Sequence, residues 1–395
     1  MLLGRRTADA SSLTVAARSS RRSRSVDRSG SAIAAYVAIA VYDSVIAVKG
    51  GYEPFAVDVD APWDASAEAA VAAAAHRVLA HHLEAQAATI LDPAYEASLA
   101  TIPNGFAKRL GVAVGEHVAG PPHRPTRRRR LPGAGDLHPT GAADPRRVDP
   151  NRADTTDRCV PRADGAVQPP RAQPVPTGRT PDRCPPGSGP REYNEVQAIG
   201  SITSTTRTAD QTLAARFWAE PPVQQARGSF RRFVDDHDLD IVEASRFMAM
   251  VSVTYADALI ACFDAKYHYA YWRPVTAIHA GDTDGNAATI ADPAWSPLLA
   301  GTPNHPKYPS AHSCITPTAG RVIARFLGTR RIDFTVPSLT GLGDRHFTRP
   351  RDLTYEVGNA RIWGGIHYRS AIEDGTTIAR HVARWVGRHH FQPEA

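Results

Sequence analysis

Lysine, cysteine and long apolar runs are all scarce in this 395-residue chain. Only four of its 46 basic residues are lysines. Because arginine is used almost everywhere else, a lysine indicates a position where an ammonium group is preferred to a guanidinium group. The four cysteines show no CxxC spacing, which indicates neither a disulfide framework nor a zinc site. The most apolar run is interrupted at Tyr42, Asp43 and Ser44, short of the roughly 20 residues that span a bilayer. The sequence predicts a soluble protein without a membrane span, either cytoplasmic or exported.

Residues 121–190 contain no Ile, Phe, Tyr, Trp or Met and hold 16 of the 32 prolines. Such a segment cannot build a core, so we predict that residues 120–192 are disordered. Two origins stay open, an authentic basic linker and a GC-rich gene read in a shifted frame. Residues 1–30 are arginine-rich without an apolar h-region, which predicts a disordered or mis-started N-terminus with no recognisable secretory signal.

The formal charge of +6 and the pI near 9.2 are typical of proteins that bind nucleic acid. The excess lies in the two segments just described, because residues 121–190 hold 13 arginines against 7 aspartates and residues 1–30 hold 7 against 2. We therefore predict no nucleic-acid partner. A non-enzymatic basic binding protein stays as a third hypothesis, and it depends on residues 121–190 alone.

The remaining chain has the spacing of helices. Alanine and leucine recur with helical period over residues 31–48 and 66–92, and Thr208 with Gln211 forms a capping-box pattern. A long amphipathic run over residues 240–272 stops at Pro274. Two further helices are predicted over 310–328 and 370–390, and no strand pattern is long enough to assign. The fold class is all-α, a helix bundle, with an N-terminal helical part at 31–119 and a C-terminal bundle at 193–395.

Lys266 and Arg273 stand seven residues apart, in the stretch "KYHYAYWRP". On one helix this spacing is about 700° of rotation, which would place both cations on one face, two turns apart. Two cations on one stripe can hold one anion. A solvated basic face explains the same spacing.

A second stretch, "PNHPKYPSAHS", offers an anion site at a helix start. Ser310 can cap the helix that follows, which leaves the backbone N–H groups of Ala311 and His312 pointing outwards. His312 can transfer a proton near neutral pH. The alternative is a plain cap followed by a polar surface histidine.

A third stretch, "GNARIWGGIHYRS", sets Arg361 six residues before His367. A continuous helix would hold the two side chains about 120° out of phase. A helix that ends at Gly364 and Gly365 would instead let a turn direct His367 into the same pocket. A helix–turn–helix corner with incidental charges is the alternative.

Together, K-x6-R-P, P-S-x-H and R-x5-H resemble the signature of the vanadium-dependent haloperoxidases, the acid phosphatases and the type 2 phosphatidate phosphatases. The resemblance covers residues 193–390 well and 31–119 loosely, and it is strongest to the bacterial vanadium-dependent haloperoxidase-like branch. It implies the helix bundle of that superfamily. It also explains the lysine, because a compact ammonium fits among donors that converge on one oxyanion.

The resemblance implies a role for each motif residue. Oxygens of vanadate, or of phosphate as a competing anion, would be bound by three cations and by two donors at the helix start: Lys266, Arg273, Arg361, Ser310 and the Ala311 amide. His367 would bind vanadium as the metal ligand, or attack phosphorus as a nucleophile, and His312 would be the acid–base residue.

The implied activity is haloperoxidase chemistry, with hydrogen peroxide, halide and a small organic substrate as reactants. Phosphomonoester hydrolysis through a phosphohistidine on His367 is the alternative, since vanadate mimics the phosphoryl transition state. Trp272 would either shape a halide pocket or face the core. Homo-oligomerisation stays open.

Two positions depart from the family pattern. Ala311 replaces the commonest glycine, and its N–H stays available provided that its φ is negative. Ala371 stands where the family has an Asp that orients the metal-binding histidine, and Asp374 lies one turn too late to take that place. The second departure bears on affinity and rate.

Overall fold

The computed structural model describes residues 23–120 and 189–394, apart from Ala270 and Asn304. Of the two segments predicted to be disordered, residues 1–22 and 121–188 lie outside these ranges, and the second of these includes most of the basic segment on which the binding-protein hypothesis depends. Helix begins at Ser23 and at Pro190, inside the margins of the two predicted segments.

The described residues are mostly helical, which confirms the predicted all-α bundle. The helices are α1 Ser23–Lys49, α2 Ala67–His82, α3 Asp92–Ala100, α4 Phe106–Val118, α5 Pro190–Ile199, α6 Ala209–Phe217, α7 Pro222–Asp236, α8 Ile241–Tyr269, α9 Pro274–His279, α10 Ala311–Phe326, α11 Pro350–Trp363 and α12 Arg369–His389. Short 3-10 turns lie at Glu84–Gln86 and Gly281–Thr283, and a π turn at Ala87–Leu91. One small antiparallel pair joins β1 Phe334–Val336 to β2 Arg345–Phe347. Each strand has three residues, too few for an alternating pattern to be read from sequence.

Local sequence sets several helix boundaries as predicted. The Thr208–Gln211 capping box forms in both directions at the start of α6. The predicted helix over 66–92 is interrupted, because α2 ends at His82 and a new helix starts at Asp92. A 3-10 turn and a π turn lie between the two helices, and Pro93 stands in the first turn of α3, where its missing N–H is tolerated.

The prediction of one continuous helix up to Trp272 is wrong. Helix α8 ends at Tyr269, and Pro274 opens the separate helix α9 with Arg273 at its N-cap. Proline is favoured in the first turn of a helix because backbone N–H groups there have no partner within the helix, so the lack of an N–H costs nothing. Lys266 and Arg273 therefore lie on different elements, and helical phase does not relate them.

Helix α8 runs through the main core, packed by α1, α10 and α12. Large side chains from several helices fill that core, among them Tyr42, Phe217 and Phe247. A second, smaller core joins α5, α9 and the turn before α12 through Tyr193, Ile278, Trp295 and Tyr368. Trp272 packs against this second core. This agrees with the prediction that its ring faces the core.

Cys262 and Cys314 form a disulfide between α8 and α10, so the prediction that the cysteines are not paired is wrong for these two. Both are fully buried, and 52 residues separate them in sequence. No spacing rule detects such a pair, because it arises only from the packing of two helices. Cys159 and Cys184 lie outside the described residues.

Two described helices are long and apolar enough to cross a membrane by length and composition, Gly30–Lys49 within α1 and Ile241–Tyr269. In the second, 67% of the apolar window is buried inside the bundle. In the first, Asp43 is buried and accepts hydrogen bonds from the backbone N–H groups of Phe55, Ala56 and Val57. The burial of Ile241–Tyr269 and the hydrogen bonds of Asp43 are typical of helices packed in a protein core.

Candidate functional site

The three sequence motifs meet at one end of the bundle. Lys266 comes from the last turn of α8, Arg273 from the cap of α9 and Ser310 from the cap of α10. Arg361 comes from the last turn of α11, and His367 from the turn between α11 and α12. All five of these residues are buried.

Lys266 is completely buried and anchors the loop that leads into α10. Its Nζ donates to the carbonyl oxygen of Pro306 at 2.8 Å and to that of Pro309. These bonds fix the end of α8 against the residue just before Ser310. A lysine suits this position because its three protons can bond two carbonyls and still point towards a third acceptor.

Arg273 connects two of the motifs directly. Its Nε donates to the carbonyl of His305 at 3.0 Å, and its Nη1 donates to the carbonyl of Ile366 at 2.9 Å. Nη1 also lies 3.1 Å from Nε2 of His367, and Nη2 lies 3.1 Å from Nδ1 of His305. Nε2 of His367 must accept, because a guanidinium only donates. Nδ1 of His305 also lies 3.2 Å from the carbonyl oxygen of Pro306, so it can accept from Arg273 or donate to Pro306 according to its tautomer.

Ser310 caps α10 as predicted, with its hydroxyl accepting from the N–H of Ser313 at 3.5 Å. Its own N–H donates to the carbonyl of Ala371, which ties α10 to α12. Gly375 permits the close approach, since a Cβ there would lie 2.9 Å from the Ser310 carbonyl oxygen.

The amides at the start of α10 are open to a ligand. In the part of the chain that the structure describes, no residue accepts a hydrogen bond from the N–H of Ala311 or His312. Ala311 has negative φ, because only Asp238 and Phe391 among the described non-glycine residues have positive values. The replacement of glycine at this position therefore leaves the amide donor usable.

The turn after α11 forms as its glycines predict. Gly364 caps the helix and Gly365 follows with φ +75°, which redirects the chain before His367. A Cβ on Gly365 would lie 2.5 Å from the carbonyl oxygen of Gly200, so the site also requires glycine sterically. Arg361, one turn before the cap, donates from Nη1 to the carbonyl of Trp218 at 2.5 Å.

Burial and mutual repulsion shift the titration of the whole group. Burial and then the charge of Arg361 lower the pKa of Arg273 to about 9, and burial lowers the pKa of Arg361 to about 10. Burial, followed by Arg361, holds the pKa of His312 well below its ordinary value. Burial, followed by Arg273, does the same to the pKa of His367. Both imidazoles are therefore neutral at pH 7.

The site has excess positive charge and unused donors. Among the described residues, no carboxylate forms an ion pair with Arg273 or Arg361. Three buried nitrogens at the site also have no hydrogen-bond partner there: Nε of Arg361, Nε2 of His312 and Nδ1 of His367. Uncompensated buried charge and unpaired buried polar groups are both costly. An oxyanion among these cations would neutralise the charge and offer an acceptor to Arg361, whereas Nδ1 of His367 lies across the ring from Nε2 and would keep no partner among the described residues. The residues present thus fit vanadate or phosphate.

His305 and Lys307 belong to this region and were not identified from sequence. Nδ1 of His305 lies 3.1 Å from Nη2 of Arg273, and Lys307 is buried beside Tyr368, the neighbour of His367. Both lie in "PNHPKYPSAHS", so the sequence already placed them in one of the motifs. The sequence could not predict that they face the site, because their orientation depends on contacts with α9 and α12.

Among the residues that the structure describes, none takes the place of the aspartate that the resembled family has where this chain has Ala371. Ala371 is fully buried and contributes its backbone carbonyl to Ser310. The carboxylate of Asp374 accepts from the hydroxyl of Tyr308 at 2.8 Å. Nδ1 of His367 accordingly has no partner among the described residues.

Comparison with known proteins agrees with this arrangement. Residues 246–393 match the family model of the VCPO second helical-bundle domain. The matched range contains the motif residues from Lys266 to His367. No curated protein matches the chain significantly.

Three solved structures share the haloperoxidase-like fold. A bacterial vanadium-dependent iodoperoxidase is 22% identical, with a TM-score of 0.63, and the match covers 93% of this chain and 92% of that one. The apo form of a bacterial vanadium-dependent chloroperoxidase is 16% identical, with a TM-score of 0.57, over 91% and 93% of the two chains. Its holo form is 16% identical, with a TM-score of 0.56, over 92% of each. At these identities the likeness establishes the fold.

Proposed function

We propose that the protein is a vanadium-dependent haloperoxidase-like enzyme that oxidises halide with hydrogen peroxide. The observation that carries the proposal is the pairing of unneutralised buried cations with a neutral imidazole whose Nε2 lone pair points among them. Cations alone would bind any anion. The lone pair supplies the one ligand that a vanadate ion takes from a protein of this kind.

The binding roles follow from the donors present. Lys266, Arg273 and Arg361 would neutralise the charge of vanadate, while the Ser310 hydroxyl and the Ala311 amide would donate further hydrogen bonds. His367 would bind the metal through Nε2, whose lone pair would exchange its hydrogen bond from Arg273 for the metal. When bound, vanadate would supply the Lewis acidity that activates peroxide towards halide.

His312 would move the proton that peroxide chemistry requires. Its ring is neutral at pH 7 because burial and the charge of Arg361 depress its pKa. Its Nε2 is buried without a partner in the described chain, on the residue that follows the Ala311 amide. A neutral imidazole in that position can accept a proton from the substrate and return it.

Phosphomonoester hydrolysis is the second candidate, because the same lone pair can attack phosphorus. Formation of a phosphohistidine puts positive charge on the imidazole, and an acceptor at Nδ1 would stabilise that charge. No described residue supplies this acceptor, since Ala371 stands where the family has Asp. The same absence would weaken vanadate binding, so we rank hydrolysis below halide oxidation because the solved structures that share the fold are an iodoperoxidase and a chloroperoxidase.

One pair of assays tests the proposal. Bromination of a phenol-type dye is measured with peroxide and bromide, with and without added vanadate, and repeated with iodide and chloride. Hydrolysis of an aryl phosphate is measured on the same preparation. Vanadate-dependent bromination or iodination is the expected result, while phosphate release that vanadate inhibits would establish the phosphatase instead.

A further inference from the structure

Lys307 has structural links to all three motifs of the oxyanion site. Its backbone N–H donates to the carbonyl of Tyr271, two residues before Arg273, at 3.2 Å. Its Nζ lies 4.3 Å from the ring centroid of Tyr368, the residue after His367. It stands three residues before Ser310 on the same loop. Lys307 therefore lies within the region of the three motifs, and none of the binding or catalytic roles proposed above is assigned to it.

The ammonium of Lys307 is buried without an ion pair. The residue is 3% exposed, and in the described ranges no carboxylate forms an ion pair with its Nζ. The two acidic groups nearest to it have other partners. Both oxygens of Glu192 accept from Ser370, and Oδ2 of Asp374 accepts from Tyr308.

The other groups facing Lys307 do not neutralise it. Arg273 adds positive charge, and the rings of Tyr271, Tyr308 and Tyr368 offer only their faces, at 5.9, 6.0 and 4.3 Å from Nζ. Burial, opposed by Glu192 and reinforced by Arg273, lowers the pKa of Lys307 to about 7. A buried cation in this condition gains from any nearby anion.

We propose that Lys307 is a fourth cation of the site, a positioning residue whose protonation is linked to oxyanion binding and so sets the pH range of tight binding. This inference rests on the proposed function only in requiring that the site binds an oxyanion. By linkage, an anion that binds more tightly to the protonated form raises the pKa of Lys307 in the complex. Affinity should therefore be constant below the pKa of the free protein, fall as the pH rises through it, and level off above the pKa of the complex.

The test uses tungstate, a tetrahedral dianion whose own charge does not titrate between about pH 6 and pH 9, so that the protein alone causes any pH dependence. Calorimetry between about pH 6 and pH 8, below the pKa of about 9 of Arg273, compares the full-length wild type with Lys307→Met, Lys307→Arg and Lys49→Met. Methionine keeps the length of the side chain without its charge, and arginine keeps the charge at every pH used. Lys49 is exposed at the end of α1 and provides the matched control.

Wild type and Lys49→Met should lose affinity as the pH rises through about 7. At low pH, Lys307→Met should bind about tenfold more weakly, the scale of one partly screened charge, and its affinity should not change with pH. Lys307→Arg should bind tightly with little change up to the highest pH. His305, His312 and His367 are present in all four proteins, so a difference between them reports Lys307.

Two results would overturn the inference. If Lys307→Met, folded by its thermal melt, keeps both the affinity and the pH profile of wild type, Lys307 is not linked to the anion. If Lys307→Met does not fold, a flat profile in wild type or a falling profile in Lys307→Arg overturns it equally. Failure of wild type to bind tungstate at any pH would contradict the oxyanion site itself, and the proposed function with it.

Discussion

Nη1 of Arg273 lies 3.1 Å from Nε2 of His367, and this contact fixes the chemistry of the imidazole. Because a guanidinium cannot accept, Nε2 carries the lone pair and the neutral ring carries its proton on Nδ1. The same cation, after burial, depresses the pKa of His367 and keeps the ring neutral. A metal ligand and a nucleophile both need this neutral tautomer, and either reaction would also require Nε2 to give up its hydrogen bond from Arg273.

Replacement of Arg361 by Ala should abolish measurable vanadate binding. The variant removes a buried cation and forfeits about 1.5 to 3 kcal/mol for each charged hydrogen bond to the anion. Titration calorimetry checks the affinity, and a thermal melt checks the loss of the bond to the Trp218 carbonyl. Arg351→Ala is the matched control, because that side chain is 74% exposed. Unchanged vanadate affinity in a folded Arg361→Ala would show that the three motifs do not act on one anion.

Replacement of His312 and of His367 should have different effects. His367→Ala should lose vanadate altogether, while His312→Ala should retain vanadate and lose peroxide turnover. Bound vanadium and the rate of halide oxidation are measured on both variants. Equal loss of vanadium in the two would contradict the assignment of roles.

Restoring the family aspartate should strengthen the site. In Ala371→Asp the new carboxylate would give Nδ1 of His367 an acceptor, and such partners typically change metal affinity by about 10- to 100-fold. Vanadate affinity should rise, at some cost in stability because Ala371 is fully buried. Ala371→Asn, which adds similar volume without the charge, is the control. Equal or weaker vanadate binding by a folded Ala371→Asp would show that the carboxylate does not serve His367.

The disulfide between Cys262 and Cys314 should contribute measurably to stability. The double variant Cys262→Ala/Cys314→Ala should lower the free energy of unfolding by about 2–4 kcal/mol, the usual effect of opening a loop of this size. Denaturant unfolding with and without a reducing agent measures the effect. Reductant should destabilise the wild type and leave the double variant unchanged; a wild type insensitive to reductant after full unfolding and refolding would contradict the bond.

Local sequence by itself determined the fold class and the three motifs. Helical period, the capping box at Thr208, the cap at Ser310 and the glycines before His367 act within a few residues, so short-range rules predict them. They were confirmed, together with the turn that directs His367 into the bundle. Helical period alone was less reliable for helix ends, since α2 ends at His82 and α8 ends before Pro274.

Tertiary structure decided which side chains meet and in what electrostatic state. Arg273 reaches His367 from the cap of a separate helix, Cys262 pairs with Cys314 across the core, and Lys307 is buried beside Tyr368. Each of these contacts joins segments tens of residues apart in sequence. Neither helical period nor motif spacing contains that information, because burial and charge at a point depend on every element packed around it.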